Sequence, residues 1–349
     1  MKRPTLPISR PLLDWLRTDS KWTEHSIALR ALLAWRAHWG SINAGLSAQQ
    51  PASKGAIPLL FIAGPWRSGS TVMHELLSAA LGWSTPLTWQ CMDPCAFQLQ
   101  RAPRLNTIVA RPMDGLQLGP LSPQEDEFAL LGLGIDSAYR GFWQPHRLGE
   151  LAHTLDSAFW QSDMRWLDTW ECFARAVQGN APGGLLIKSP NHSFRLPAYL
   201  DRFPEAKVVW MLRDAREVFL SNRKMWTQMA AQHGLGPVDP GVLDAFLVRA
   251  ITHLADMLEA LPNRLSPSQW AVCRQPELLK RPREMVEALL KKLALDCHGA
   301  PSTFESTLEG VSKGRVERYP EQAFDGAVQT AIERLDAAQA LAIRAQPAT

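Results

Sequence analysis

Apolar residues from Asp14 to Trp39 recur at the three-to-four spacing of an amphipathic helix, then give way to a Gly, Ser, Ala and Gln-rich stretch that runs to about residue 55. This first segment reads as a helical N-terminal cap. Ile57-Pro58-Leu59-Leu60-Phe61-Ile62-Ala63-Gly64 is a short apolar run closed by glycine, the pattern of a buried strand, and Ser70 to Leu81 returns to helical spacing. From about Thr85 to Gln124 the chain is proline-rich with no sustained period, so it is expected to be an irregular excursion that shapes a substrate site. Helical spacing resumes at Glu125, and one long helical region is predicted from about Gly149 to Val177, stopped by Gly179-Asn180-Ala181-Pro182-Gly183-Gly184. Leu185-Leu186-Ile187-Lys188 predicts a second strand, Leu196 to Phe203 a helix, and Lys207-Val208-Val209-Trp210-Met211-Leu212 the clearest strand of all. Asp214 and Glu217 then stand at capping-box spacing and open a helix to about Gln232. Beyond about Gly241 the chain reads as mainly helical, with one more strand candidate at Gln269 to Cys273.

Strands alternating with helices at these lengths imply parallel pairing with right-handed crossovers. The expected architecture is an α/β, P-loop-like, three-layer fold: a central, mainly parallel sheet flanked by helices, with helical additions at both ends. One domain is expected over residues 1–349, with the cap at 1–55, a ligand-binding core at 56–232 that includes the excursion at 85–124, and a mainly helical part at 233–349. Such sheets bind ligands at the carboxyl ends of their strands, so the loops after Ala63, Lys188 and Leu212 should converge.

Composition narrows the function without naming it. The 46% apolar content of 349 residues can bury a large core. Thirty-seven basic against 34 acidic residues leave a net charge of +3, too balanced for a nucleic-acid groove or a membrane-seeking face, so any anion site must be local. The five cysteines are scattered; Cys91 and Cys95 are the closest pair and no second pair stands at metal-ligand spacing, which points to reduced core thiols rather than disulfides or zinc. Prolines and an aspartate interrupt the basic N-terminus, and no run approaches the roughly 20 apolar residues of a membrane span. A cytoplasmic location is therefore expected. Most of the 14 tryptophans belong in the core, with some left to line an apolar pocket.

Gly64-Pro65-Trp66-Arg67-Ser68-Gly69-Ser70-Thr71 has the spacing of a nucleotide phosphate loop, set between a strand and a helix, with Ser70 where the usual lysine stands. Backbone N–H groups and a helix N-terminus would face an anion there. An NTPase needs that lysine and an acidic magnesium ligand, and neither is evident; Arg67 offers a permanently charged, bidentate partner instead. The plainer alternative is a glycine turn that merely enters a helix.

Three segments resemble the sulfotransferases that use 3′-phosphoadenosine 5′-phosphosulfate (PAPS). Arg67-Ser68-Gly69-Ser70-Thr71 is similar to the family's loop for the 5′-phosphosulfate. Leu186-Ile187-Lys188-Ser189-Pro190-Asn191-His192 resembles its Lys-Ser-Pro-x-His segment. Trp210 to Ser221 looks like its 3′-phosphate signature, an Arg followed eight residues later by Ser, here Arg213 and Ser221. Arg111 to Asp114 and Pro123 to Leu130 also resemble this family, and Ser312-Lys313-Gly314-Arg315 is the nearest counterpart of its Arg-Lys-Gly closing segment.

The resemblance implies sulfuryl transfer from PAPS to a hydroxyl or amine of a small molecule, with 3′-phosphoadenosine 5′-phosphate (PAP) leaving and no metal taking part. It implies that Arg67, Ser68, Gly69, Ser70, Thr71, Arg213, Ser221, Lys313, Gly314 and Arg315 bind the donor and that Lys188 is the catalytic cation, rather than a solvated strand-end lysine. Arg213 has the alternative of a capping or salt-bridge role. An acceptor hydroxyl must lose a proton. Glu127 and His192 stand level as the base, with Glu125 behind. Glu125, Asp126 and Glu127 open a helix, and complementing its dipole accounts for at least two of them. The tryptophans and the apolar excursion suggest an acceptor with an aromatic or lipid-like body. A P-loop kinase or NTPase and a non-catalytic nucleotide-binding protein of the same fold are the competing functions.

Overall fold

Strand-forming apolar runs lie side by side in the computed structural model, which describes residues 8–47, 56–104, 108–110, 117–179, 181–311, 319 and 323–346. They are β1 (Leu59–Ala63), a small antiparallel ribbon of β2 (Val109–Ala110) and β3 (Gln117–Leu118), then β4 (Leu185–Lys188), β5 (Lys207–Leu212) and β6 (Trp270–Arg274). The main sheet has the order β4-β1-β5-β6 and is parallel throughout. Every residue of β1 and β4 is buried, as in a sheet covered on both faces.

Alternation along the strands divides the core in two. Leu60, Ile62, Leu186, Val209 and Met211 pack with Met73, Leu76 and Leu77 of the helix Ser70–Leu81 and with Val286, Leu289 and Leu290 of the helix Pro282–Lys292. Leu59, Phe61, Ile187, Val208 and Trp210 face the other way, onto Trp170 of Arg165–Gln178, Tyr199 of His192–Arg202, and the helices Ala215–His233, Pro240–Arg264 and Gly326–Arg344. The result is a helix layer, a sheet and a second helix layer. The chain leaves β1 toward one face and leaves β4 toward the other, and this divergence opens a crevice at their carboxyl ends.

The helix Ser70–Leu81 and the strands β4 and β5 fall on the predicted residues, and β6 lies one residue beyond its prediction. Asp214 caps the next helix by accepting the Glu217 N–H at 2.8 Å. The reciprocal half of the capping box is replaced, because the Glu217 carboxylate turns to Arg213 at 3.1 Å.

Other helices are broken where short polar side chains compete for the backbone. The cap is a helix Arg10–Arg17, a 3-10 turn Ser20–Glu24 and a helix Ile27–Ser47 rather than one helix, and Asp19 accepts the Lys21 N–H at 2.9 Å at the first break. The region predicted as one helix over 149–177 is a 3-10 segment Pro145–Leu155 and two helices, Ser157–Ser162 and Arg165–Gln178. Asp156 and Asp163 accept the N–H groups of Ala158 and Arg165 at those joints, at 2.9 and 3.1 Å. Among the described residues no helix is long and apolar enough to cross a membrane.

One glycine fixes the start of the loop after β1. Gly64 has φ +121°, and a Cβ there would lie 2.6 Å from the carbonyl oxygen of Met211 on β5. Gly64→Ala is therefore expected to destabilise the fold by about 2 kcal/mol or more, read as a lowered denaturant midpoint. Unchanged stability would mean that β1 and β5 can separate at this point.

Candidate active site

Sequence makes the loop after β1 by placing conformationally free or strained residues at its corners. Arg67, at φ +67°, is one of two non-glycine residues at positive φ among those described, and Gly69 has φ +88°. Ser68 is fully buried and donates from its hydroxyl to the Pro65 carbonyl at 2.6 Å, which closes the turn from within. Trp66 wedges the loop against Phe194, Trp226 and Phe246, with ring centroids 5.6, 5.9 and 6.4 Å away. Gly69 caps the helix Ser70–Leu81 without any side-chain bond, so the first-turn N–H groups, which have no intrahelical acceptor, face the loop. This cradle fits a phosphate or sulfate group, and the hydroxyls of Ser70 and Thr71 stand on the same first turn.

The end of β5 closes one side of it. Arg213 donates from one terminal nitrogen to the Arg67 carbonyl at 2.7 Å and from Nε to Glu217 at 3.1 Å. Arg67 in turn donates from Nε to the Ser221 hydroxyl at 3.2 Å. The Arg213 and Ser221 of the sequence signature thus meet across Arg67, Arg213 on its carbonyl and Ser221 on its guanidinium, which sets two permanent cations at one corner suited to an anion. The C-terminal helix braces this corner: Gln339 accepts the Arg213 N–H at 3.1 Å and Asp336 the Ala215 N–H at 3.2 Å.

The other side is built from an acidic run and a basic one. Lys188, 1% exposed at the end of β4, donates to Glu125 Oε1 at 2.7 Å and to the Thr71 hydroxyl at 3.4 Å. Tyr139 donates to Glu125 Oε2 at 2.7 Å. Both oxygens of Asp126 lie 2.8 Å from His192 Nε2, and the Trp170 indole N–H donates to Asp126 Oδ2 at 2.8 Å. Glu127 takes both terminal nitrogens of Arg195, at 2.5 and 3.0 Å, and the Ser137 hydroxyl at 2.5 Å. Consecutive acids at 125, 126 and 127 therefore meet residues 188, 192 and 195 in order. The helix-dipole reading of the run gives way to three specific buried pairs, and the helix itself begins only at Glu127.

Charge states follow from these surroundings. Burial pushes the Tyr139 hydroxyl well above the usual phenol range, and the Glu125 charge adds to it, so the phenol stays protonated and donates. Burial opposes the Arg195 charge, but Glu127 outweighs it and the guanidinium is held more firmly than usual. Burial, helped by Lys188, pushes His74 well below the usual imidazole range. Its Nε2 lies 2.6 Å from the Thr85 hydroxyl, which donates to the Leu186 carbonyl at 2.9 Å, and this assigns the ring proton to Nε2.

The structure thus brings together Arg67, Ser68, Gly69, Ser70, Thr71, Lys188, Arg213 and Ser221 around one crevice. Glu125 joins them, whereas Glu127 and His192, both 0% exposed, stand behind it with their polar atoms engaged. Lys313, Gly314 and Arg315, like Arg111 to Asp114, lie outside the described residues. Tyr139 and Arg195 have no signal of their own in the sequence; the only trace is that Arg195 follows His192 at one helical turn, repeating the order of the acids. A largely apolar cavity at the amino-terminal ends of β1 and β5, lined by Ile57, Leu59, Trp170 and Phe203, lies away from this crevice.

A family model described as "Sulfotransferase family" matches residues 58–299, most of the chain. The chain belongs to the sulfotransferase family. Two curated relatives, both named omega-hydroxy-beta-dihydromenaquinone-9 sulfotransferase Stf3, from Mycobacterium bovis and Mycobacterium tuberculosis, are 30% identical over 248 residues, which cover 69% of this chain. The chain spans 63% of the length of these relatives. Among solved structures, sulfotransferase STF1 from Mycobacterium tuberculosis aligns with a TM-score of 0.58 at 15% identity, covering 94% of this chain and 90% of that one. STF9 from Mycobacterium avium aligns with a TM-score of 0.57 at 19% identity, covering 89% and 83%. These two share the α/β fold with its parallel central sheet. The family match ends before the C-terminal helix Gly326–Arg344, so the brace on Arg213 lies outside it.

Proposed function

We propose that this protein transfers a sulfuryl group from PAPS to a hydroxyl of a small molecule with an apolar body. The observation that carries the reading is the position of Lys188, whose ammonium bridges Glu125 at 2.7 Å and the Thr71 hydroxyl of the phosphate loop at 3.4 Å. One buried cation between a carboxylate and an anion cradle suits in-line group transfer, where positioning and charge stabilisation do most of the work.

PAPS, when bound, supplies the sulfuryl group, whose bond to the 5′-phosphate oxygen breaks as its bond to the acceptor oxygen forms. The loop 64–71 and the helix N-terminus are assigned to the 5′ end of the donor, and Arg213 and Ser221, with Arg67 between them, to its 3′-phosphate. Lys188 stabilises the negative charge that builds beside the loop. Glu125 accepts the acceptor's proton. Its 9% exposure and its contact with Lys188 support this over Glu127 and His192, which are fully enclosed by their own partners. The apolar acceptor is supported by the dihydromenaquinone derivative in the name of the curated relatives.

Calorimetric titration with PAP in the absence of metal, beside ATP with magnesium, tests the donor. PAP is expected to bind, and Arg213→Ala to weaken it by about tenfold or more through loss of charge-assisted bonds. Binding of ATP but not PAP would replace this reading with a kinase or NTPase, and binding of neither would leave a non-catalytic protein of the same fold. A panel of hydroxylated isoprenoid quinones, phenols and steroids then tests the acceptor class with labelled PAPS.

A further inference from the structure

We propose that Tyr139 is a positioning residue for the proton acceptor, and that the buried Arg195–Glu127 pair holds it in place. The inference rests on Glu125 being that acceptor.

The chain of contacts runs from the helix His192–Arg202 to the carboxylate. Arg195 grips Glu127 with two nitrogens and donates to the Asp136 carbonyl at 3.0 Å, while its guanidinium lies 4.1 Å over the Trp160 ring. Glu127 also takes the Ser137 hydroxyl, and the Ser137 oxygen accepts the Tyr139 N–H at 3.0 Å. Both ends of the 136–139 segment are thereby fixed, and the Tyr139 hydroxyl is left directed at Glu125 Oε2. Packing fixes the ring as well, with Phe142 and Phe128 centroids at 4.6 and 5.5 Å.

Lys188 alone could rotate the Glu125 carboxylate about its terminal bond. A second donor on the opposite oxygen removes that freedom and turns a lone pair toward the crevice. Other charged or titratable groups around Glu125 are Lys188 on β4, its neighbours Asp126 and Glu127, and His192 and Arg195 on the helix behind. His74 lies beside Lys188, and Cys91 is a thiol pushed well up by burial and by the charges of Asp126 and Glu125. Tyr139 is the one among them that donates a neutral hydrogen bond to the Glu125 carboxylate.

Single-turnover conversion of PAPS to PAP with water as acceptor gives a readout that needs no knowledge of the natural acceptor. Tyr139→Phe keeps the ring and its packing. It is expected to slow turnover about tenfold and leave PAP affinity unchanged. Glu125→Gln is expected to slow turnover by about a hundredfold or more, and adding Tyr139→Phe to it should cost nothing further. An equal loss from Tyr139→Phe in both backgrounds would overturn the positioning role while leaving Glu125 as acceptor. Wild-type turnover in Glu125→Gln would instead overturn the assignment of Glu125, and the inference with it.

Discussion

Lys188→Met is expected to cut turnover of PAPS by about a thousandfold, the scale seen when one preorganised donor is removed from developing charge in a water-poor site. Methionine preserves most of the side-chain volume, so packing at the end of β4 should survive. Donor binding should change much less than rate, because the ammonium is aimed between the loop and Glu125, where the proposed mechanism has charge grow during transfer, whereas it assigns the phosphate ends to the loop and to Arg213. Single-turnover rates compared with PAP affinity separate the two effects. Equal losses in both would make Lys188 an ordinary ground-state ligand. An unchanged rate would remove it from the mechanism.

Arg195→Leu is expected to be the most damaging single change to stability, costing about 3–5 kcal/mol because it strands a buried carboxylate. Glu127 is 0% exposed, and without the guanidinium only Ser137 would remain among the partners described above. The stacking of Arg195 on Trp160 is lost at the same time. Replacing both partners, as Arg195→Leu with Glu127→Leu, should recover most of the loss, since a charge is no longer left alone in the core. Denaturant unfolding of the single and double variants checks this. Separation alone does not decide the effect: Arg165 and Asp163 are equally close at 2.5 Å, but with the Arg165 side chain 89% exposed their pairing should be dispensable. A loss in Arg195→Leu no greater than that in Arg165→Ala would contradict a buried-charge origin.

Much of the frame was legible because it is written in short-range pattern. Apolar runs closed by glycine or by Lys188 mark β1 and β4, and Asp214 marks the start of its helix, since burial on both faces and end-capping each leave a local signature. Helix breaks at Asp19, Asp156 and Asp163 were lost inside longer apolar periods, where a single side chain bonding its own backbone outweighs the period around it.

By itself, then, the sequence determined the alternation of strands and helices, the tight glycine-bearing loop between β1 and its helix, and the three segments that carry the family resemblance. Tertiary structure alone decided which acid meets Lys188. Residues 125, 126 and 127 are adjacent in sequence, but they lie where an irregular approach turns into a helix that begins only at Glu127, so no regular period fixes the directions of their side chains, and Glu125 is 63 positions from its cation. Only the packing of β4 and its following helix against this run sets Glu125 beside the crevice and encloses Asp126 and Glu127 with His192 and Arg195, because a side chain's partner depends on where its neighbours fold and not on where it stands in the chain.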